Sequence, residues 1–160
     1  MSQIKRRSVK TQFGLLCVVE EAGEITRLDW GISADDHSDV LHAAETQMLA
    51  YVRGELETFD LPMNVKGTDF QRDVCAAMFA IPFGYTRTYG EIAKDLGVPA
   101  QAVGQACGGN PIPIIIPCHR VMGAKGLTGF SGEGGVETKV ALLRHEGAAG
   151  RQAHVAALGD

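Results

Sequence analysis

The sequence predicts an α/β domain over residues 1–62, a mainly α domain over residues 63–147 built on a helix-turn-helix, and a flexible tail over 148–160. Three observations predict it. Leu15-Leu16-Cys17-Val18-Val19 is an unbroken apolar run, as in a strand covered on both faces, and Ile25 to Trp30 reads as a strand returning after an Ala22-Gly23 turn. Thr68 with Gln71 and Thr88 with Glu91 have capping-box spacing, each at the head of a helical apolar pattern. Two short helical patterns split by Gly97 and Pro99 have the spacing of a helix-turn-helix.

The elements follow in chain order. The chain opens on Met-Ser-Gln-Ile-Lys-Arg-Arg, a basic start without the apolar stretch of a secretory signal, and the expected address is cytoplasmic. After the strand pair, Asp35, Asp36 and Ser38 precede a helical stripe of Val40, Ala44, Met48 and Tyr51 that stops at Gly54. Leu61-Pro62-Met63-Asn64 reads as a linker. The helix opened by Thr68 carries Phe70, Val74, Ala77 and Met78 on one face and ends at Pro82 and Gly84. The helix opened by Thr88 carries Ile92, Ala93 and Leu96. Pro99 suits the first position of the next helix, which runs through Ala102, Val103 and Ala106 to Gly108-Gly109.

That last helix is nearly bare: Ala100, Ala102, Gly104, Ala106 and Gly108 are all small. Small residues permit close approach, by another helix or by an outside partner, and the sequence weighs the two equally. Pro111 to Pro117 is a stiff apolar segment that delivers Cys118-His119-Arg120 at a fixed position. Gly123, Gly126 and Gly129 suggest a wing-like hairpin, and a final helix runs from about Val136 to Glu146, stopping at Gly147.

Composition narrows the function without choosing it. The 160 residues have 45% hydrophobic content, as in a globular protein with a real core, and no apolar run approaches bilayer length. The four cysteines form no CxxC pair, so neither a zinc site nor a disulfide framework is expected. The net charge of −4 is uneven. Residues 11–82 carry four Lys/Arg against thirteen Asp/Glu (−9), residues 83–146 carry six against five (+1), and residues 1–10 add +4. A basic-to-neutral face meeting phosphates is compatible with this distribution, and so is ordinary surface scatter.

The run from Asn110 to Val121, containing Pro117-Cys118-His119-Arg120, closely resembles the active-site signature of the 6-O-alkylguanine-DNA alkyltransferases. Phe70-Gln71, Tyr89-Gly90-Glu91-Ile92-Ala93, Gly126 to Gly132 and Leu142 to Gly147 fit the same pattern. The resemblance covers residues ~68–147 strongly and 10–60 loosely. It implies a ribonuclease-H-like N-terminal domain followed by a winged-helix-like domain carrying the helix-turn-helix. The implied activity is DNA repair by one irreversible alkyl transfer from the 6-oxygen of guanine to Cys118.

The chemistry suits these residue types. An aryl ether carbon calls for a soft nucleophile, and an unperturbed thiol, pKa ~8.5, is only a few per cent ionised at neutral pH. By resemblance, His119 takes the thiol proton through a water and Glu146 orients His119. Glu146 sits in a last helical turn, where the dipole disfavours an anion by ~0.3–1 kcal/mol, which suggests a partner elsewhere, with an exposed, solvated Glu as the plain alternative. Asn110 would anchor the turn before the active-site strand. Cys118 and His119, adjacent in an extended segment, would point to opposite sides, which favours a water-bridged relay over direct pairing.

The damaged base must leave the stack. The resemblance places the bare helix, with Gln101, Ala102 and Gly104, in the minor groove of double-stranded DNA, with Tyr89 pressing on the phosphate beside the flipped base and Arg120 counted among the DNA-contacting residues. Phe130 and Ser131 would line the base pocket, with Val121 and Cys118 offering backbone groups to the guanine. No cofactor and no metal are implied. A monomer is the simplest state, and activity on 4-O-alkylthymine is left open.

Two positions depart from the family pattern. Gln101 stands where family members usually carry an arginine, and Phe130 where they carry a tyrosine. The first loses charge and reach, so slow repair in duplex relative to single strands is expected. The competing readings are a lesion sensor that binds without transfer, a winged-helix regulator and a thiol hydrolase. The sensor lacks the cysteine, and the regulator gives no reason for Pro117 to Arg120.

Overall fold

The computed structural model describes residues 3–123 and 135–148, and the chain divides into two compact units, Met1–Lys66 and Gly67–Asp160. No helix among the described residues is long and apolar enough to cross a membrane.

The first unit is an antiparallel meander with one helix. Strands β1 (Ile4–Thr11), β2 (Gly14–Glu21) and β3 (Glu24–Trp30) pair in the order β1-β2-β3. The central strand is the predicted apolar run, with Leu16, Cys17, Val18 and Val19 all buried. Ala22 and Gly23 turn the chain at φ 54° and 82°. Helix α1 (Asp39–Val52) is capped by Ser38, whose hydroxyl accepts from Leu41 N. Its buried stripe is Leu41, Ala44, Met48 and Tyr51, one residue displaced at its start from the predicted Val40.

One element that the sequence left unassigned appears here, and one reading is corrected. The basic N-terminus is an eight-residue edge strand. Its polar pattern hides it, and it is held by β2 and by Arg7, which pairs with Asp35 and Glu45. The predicted linker also belongs to this unit: Ile25 N donates to Pro62 O at 2.8 Å and Asn64 N to Ile25 O at 2.9 Å, flanking a bridge to Met63.

In the second unit, helices α2 (Asp69–Phe79), α3 (Tyr89–Leu96), α4 (Ala100–Gly108) and α5 (Val136–His145) surround the Cys118 segment. Thr68 caps α2, but Gln71 does not close a box: its amide donates to Ala106 O in α4 at 2.8 Å. Cys75, rather than Ala77, completes the buried face with Val74 and Met78. Thr88 and Glu91 do form the predicted box. Gly97, at φ 69°, ends α3 in a Schellman motif: Gly97 N bonds to Lys94 O and Val98 N to Ala93 O. Two-residue strands β4 (Arg87–Thr88) and β5 (Val121–Met122) pair in parallel, tying the start of α3 to the residues after Cys118.

Helix α5 ends the same way. Gly147, at φ 72°, lets Gly147 N reach Arg144 O and Ala148 N reach Leu143 O, and Ala148 packs with Leu143 and Met122. Ala148 is thus part of the packed unit, while 149–160 of the predicted tail lie outside the described residues. The expected wing beyond Gly123 also lies outside them.

Candidate active site

The segment before Cys118 is folded tightly, not extended. Asn110 fixes its ends: Nδ2 donates to Ile116 O at 2.8 Å and Oδ1 accepts from Ile112 N at 3.0 Å. Ile112, Ile114, Ile115 and Ile116 are all buried, and Ile114 is held at φ 72°. A β-branched residue resists that conformation, so the packing of the isoleucines must impose it. Cys118, His119 and Arg120 then form one turn of 3-10 helix. The expected active-site strand is corrected accordingly, and with it the placement of Cys118 and His119 on opposite sides of an extended chain.

Two side chains of this turn, His119 and Arg120, form a buried ionic cluster with Glu146. His119 Nε2 lies 2.7 Å from Glu146 Oε2, and Arg120 grips the same carboxylate through Nε at 2.8 Å and Nη2 at 3.0 Å. Arg120 Nη1 donates to Ile81 O at 2.7 Å, and its guanidinium lies over the Phe83 ring. The Schellman end of α5 sets Glu146 at the helix C-cap, and Gly84 admits it: a Cβ there would meet Glu146 O at 3.3 Å. The cations offset the unfavourable end of the helix dipole.

Protonation follows from these contacts. Burial alone would raise the Glu146 carboxyl, but His119 and Arg120 outweigh it and hold it far below the usual carboxylate range. For His119, burial dominates the pull of Glu146 and lowers its proton affinity. A neutral imidazole beside a carboxylate ionised by Arg120 must carry its proton on Nε2, donating to Glu146. Nδ1 then presents a lone pair. It is buried and has no hydrogen-bond partner among the described residues. Burial pushes the Cys118 thiol up to about 11, against the opposing influence of an Asn110 hydrogen bond and the Lys139 charge. The resting sulfur is therefore a thiol, with a base in the adjacent residue.

The expectation that Arg120 contacts DNA is corrected: the residue is 6% exposed and three of its nitrogens are committed inside the protein. Cys118 N donates to Ile116 O and Val121 N to Cys118 O, so only the carbonyls of Cys118 and Val121 keep a lone pair to offer. Phe130 and Ser131 lie outside the described residues. Lys139, fully buried with Nζ 2.6 Å from Val121 O, escaped the sequence reading. Its signal was a lysine on the apolar stripe of α5 with Leu142 and Leu143.

In the same unit, Tyr89, Gln101, Gly104 and Gln105 line an open concavity of about 540 Å³. A Cβ built on Gly104 meets nothing within 4 Å among the described residues. Tight helix packing is therefore not what keeps position 104 bare.

A family model described as 6-O-methylguanine DNA methyltransferase, DNA binding domain, matches residues 69–148, half of the chain. A Mycobacterium tuberculosis protein named methylated-DNA–protein-cysteine methyltransferase is 47% identical over 134 residues, covering 82% of this chain and 78% of the relative. The chain belongs to the 6-O-methylguanine-DNA methyltransferase family. A Bacillus subtilis member, named as the constitutive methyltransferase, is 40% identical over 87% of this chain and 93% of its own. Among solved members, the M. tuberculosis O6-methylguanine methyltransferase superposes with TM-score 0.82 at 38% identity, covering 99% of this chain and 100% of that one. The M. tuberculosis OGT crystallised in complex with DNA gives 0.79 at 40% identity, over 89% and 92%. Among the described residues no group of three or more His, Cys, Asp or Glu is placed to hold a metal ion.

Proposed function

We propose that this protein repairs alkylated DNA by moving the alkyl group from the 6-oxygen of guanine to Cys118, once per chain. The S–C bond forms as the C–O bond breaks, and the guanine leaves as its 6-oxo anion, which becomes the ordinary base on taking up one proton, the equivalent of the one the thiol gave up. The thiol proton passes through a water to His119 Nδ1. Glu146 steadies the imidazolium that results, and Arg120 keeps Glu146 ionised throughout. The observation that carries this reading is the 2.7 Å contact of His119 Nε2 with Glu146, with Nδ1 buried and unpartnered among the described residues, which leaves a basic nitrogen on the residue next to the sulfur. A thioether has no easy leaving group, so nothing here regenerates the cysteine.

The partner is double-stranded DNA carrying 6-O-alkylguanine, as the family and the DNA-bound relative support. Tyr89, Gln101, Ala102 and Gly104 would receive it on the open face of α3 and α4, where Gly104 leaves room for a sugar-phosphate backbone. The carbonyls of Cys118 and Val121 would accept from the guanine edge, and Phe130 and Ser131 would complete its pocket. The division of labour assigns this chemistry to the second unit, read as winged-helix-like. The first unit, a three-stranded meander with one helix, is read as a ribonuclease-H-like scaffold.

The test is intact mass after mixing with a duplex bearing one 6-O-methylguanine. A gain of one methyl per chain, mapped to Cys118 and absent in Cys118→Ala, supports the proposal. Tight binding with no gain of mass would replace it with the lesion-sensor reading.

A further inference from the structure

The relay leaves Lys139 unexplained. Its side chain has no exposed surface, and among the described residues no carboxylate lies within salt-bridge distance. An ammonium buried without an anion is costly, and an apolar residue would serve the Leu142–Leu143 face of α5 better. The ionisable groups whose charge bears on Lys139 are two thiols, Cys118 in the 3-10 turn and Cys107 in α4. Among the described residues its hydrogen bond runs to Val121 O, the carbonyl just beyond that turn.

We infer that Lys139 is a positioning residue for alkyl transfer, its buried ammonium supplying the positive field that stabilises the Cys118 thiolate while its bond to Val121 O fixes the nucleophile's turn. The inference rests on Cys118 being the acceptor. When the thiol proton leaves for His119, the anion left behind meets a cation already in place, with no solvent to reorganise. The other groups bearing on Cys118 are Asn110 after α4, Cys75 on α2 and Cys107 on α4. Asn110 is neutral and the two cysteines oppose a thiolate, so Lys139 alone among these brings positive charge. The imidazolium formed at His119 is offset by Glu146, which Arg120 keeps ionised.

The test needs no DNA. Cys118 carboxamidomethylation by iodoacetamide, followed by peptide mass spectrometry at about pH 7–9, reports how readily the thiolate forms. Lys139→Met and Lys139→Gln should slow it roughly tenfold, one pKa unit of thiolate stabilisation, and Lys139→Arg should recover most of the rate. Gln retains a donor for Val121 O, so a slow Gln variant assigns the effect to charge rather than to the hydrogen bond. Unchanged rates in the Met and Gln variants would overturn the inference.

Should those variants fail to fold, the wild-type protein supplies the readout. Coupling between two titrating groups is reciprocal, so the Lys139 Nζ signal followed by NMR into the alkaline range should show a second step where Cys118 ionises, and blocking Cys118 as a thioether should remove it. A Lys139 titration that is the same with Cys118 free and blocked would overturn the inference as well. Methyl transfer from DNA is measured separately, so failure of the repair reading is distinguishable from failure of this one.

Discussion

Among the described residues each unit buries one glutamate, and the two are put to different use. Glu20 in β2, 7% exposed, accepts from the Ser38 hydroxyl and from Gly23 N, both neutral donors. It steadies the cap of α1 and the β2–β3 turn, and neither partner changes protonation near neutral pH. Glu146, 4% exposed, is bound by an imidazole and a guanidinium. Burial of a carboxylate therefore says little about chemistry by itself. What separates the two sites is a partner able to take up a proton beside a nucleophile.

Substitution of both glutamates should break the comparison open. Glu146→Gln is expected to slow single-turnover methyl transfer about 10²–10⁴-fold and to cost about 3–5 kcal/mol of stability, because Arg120 is left buried without its anion. Glu20→Gln should leave the transfer rate unchanged and cost about 1 kcal/mol in urea unfolding, the scale of a helix cap. Equal losses of activity in the two variants would erase the distinction.

Acidification sharpens it. His119 binds its proton less tightly in the folded chain than in the unfolded one. The unfolded state therefore takes up more protons below its own value of ~6.5, and stability falls with pH by at most about 1.4 kcal/mol per unit. Glu146 is depressed too, so its contribution is intact above the unfolded value of ~4.3 and fades only as pH drops through its lower folded value. Denaturation measured from pH 8 to 4 should show the first loss in wild type and Glu20→Gln, and not in His119→Gln.

The DNA face gives smaller effects. Gly104→Leu has open space on the protein side and replaces a helical glycine, so it should stabilise the fold by up to ~1 kcal/mol. Fluorescence anisotropy should show duplex binding weakened about tenfold, or ~1.4 kcal/mol. Gln101→Arg is expected to raise the duplex rate a few-fold relative to single strands by restoring charge and reach. An unchanged ratio of the two rates would dismiss Gln101 as a limit on repair.

The sequence made visible what depends on local pattern. The buried run of β2, the Thr88–Glu91 box and the glycine ends of α3 and α5 follow from periodicity and backbone preference. Cys118, His119 and Glu146 were legible through resemblance, because their order in the chain matches a known signature. Long-range geometry was not. Arg120 reaches Ile81 and Glu146, 39 and 26 residues away, and nothing local distinguishes it from a phosphate-binding arginine. The φ of 72° at Ile114 runs against the preference of its side chain, so no propensity announces it. β1 is too polar to look like a strand until β2 is beside it.

The proton position on His119 carries the account, and nitrogen-15 NMR of the imidazole reads it directly. At pH 7 in the DNA-free protein, a neutral ring protonated on Nε2 is expected, converting to the Nε2–H, Nδ1–H cation only under acid. An imidazolium already present at pH 7, or a neutral ring protonated on Nδ1, would contradict it, since neither leaves a nitrogen able to receive the proton of Cys118.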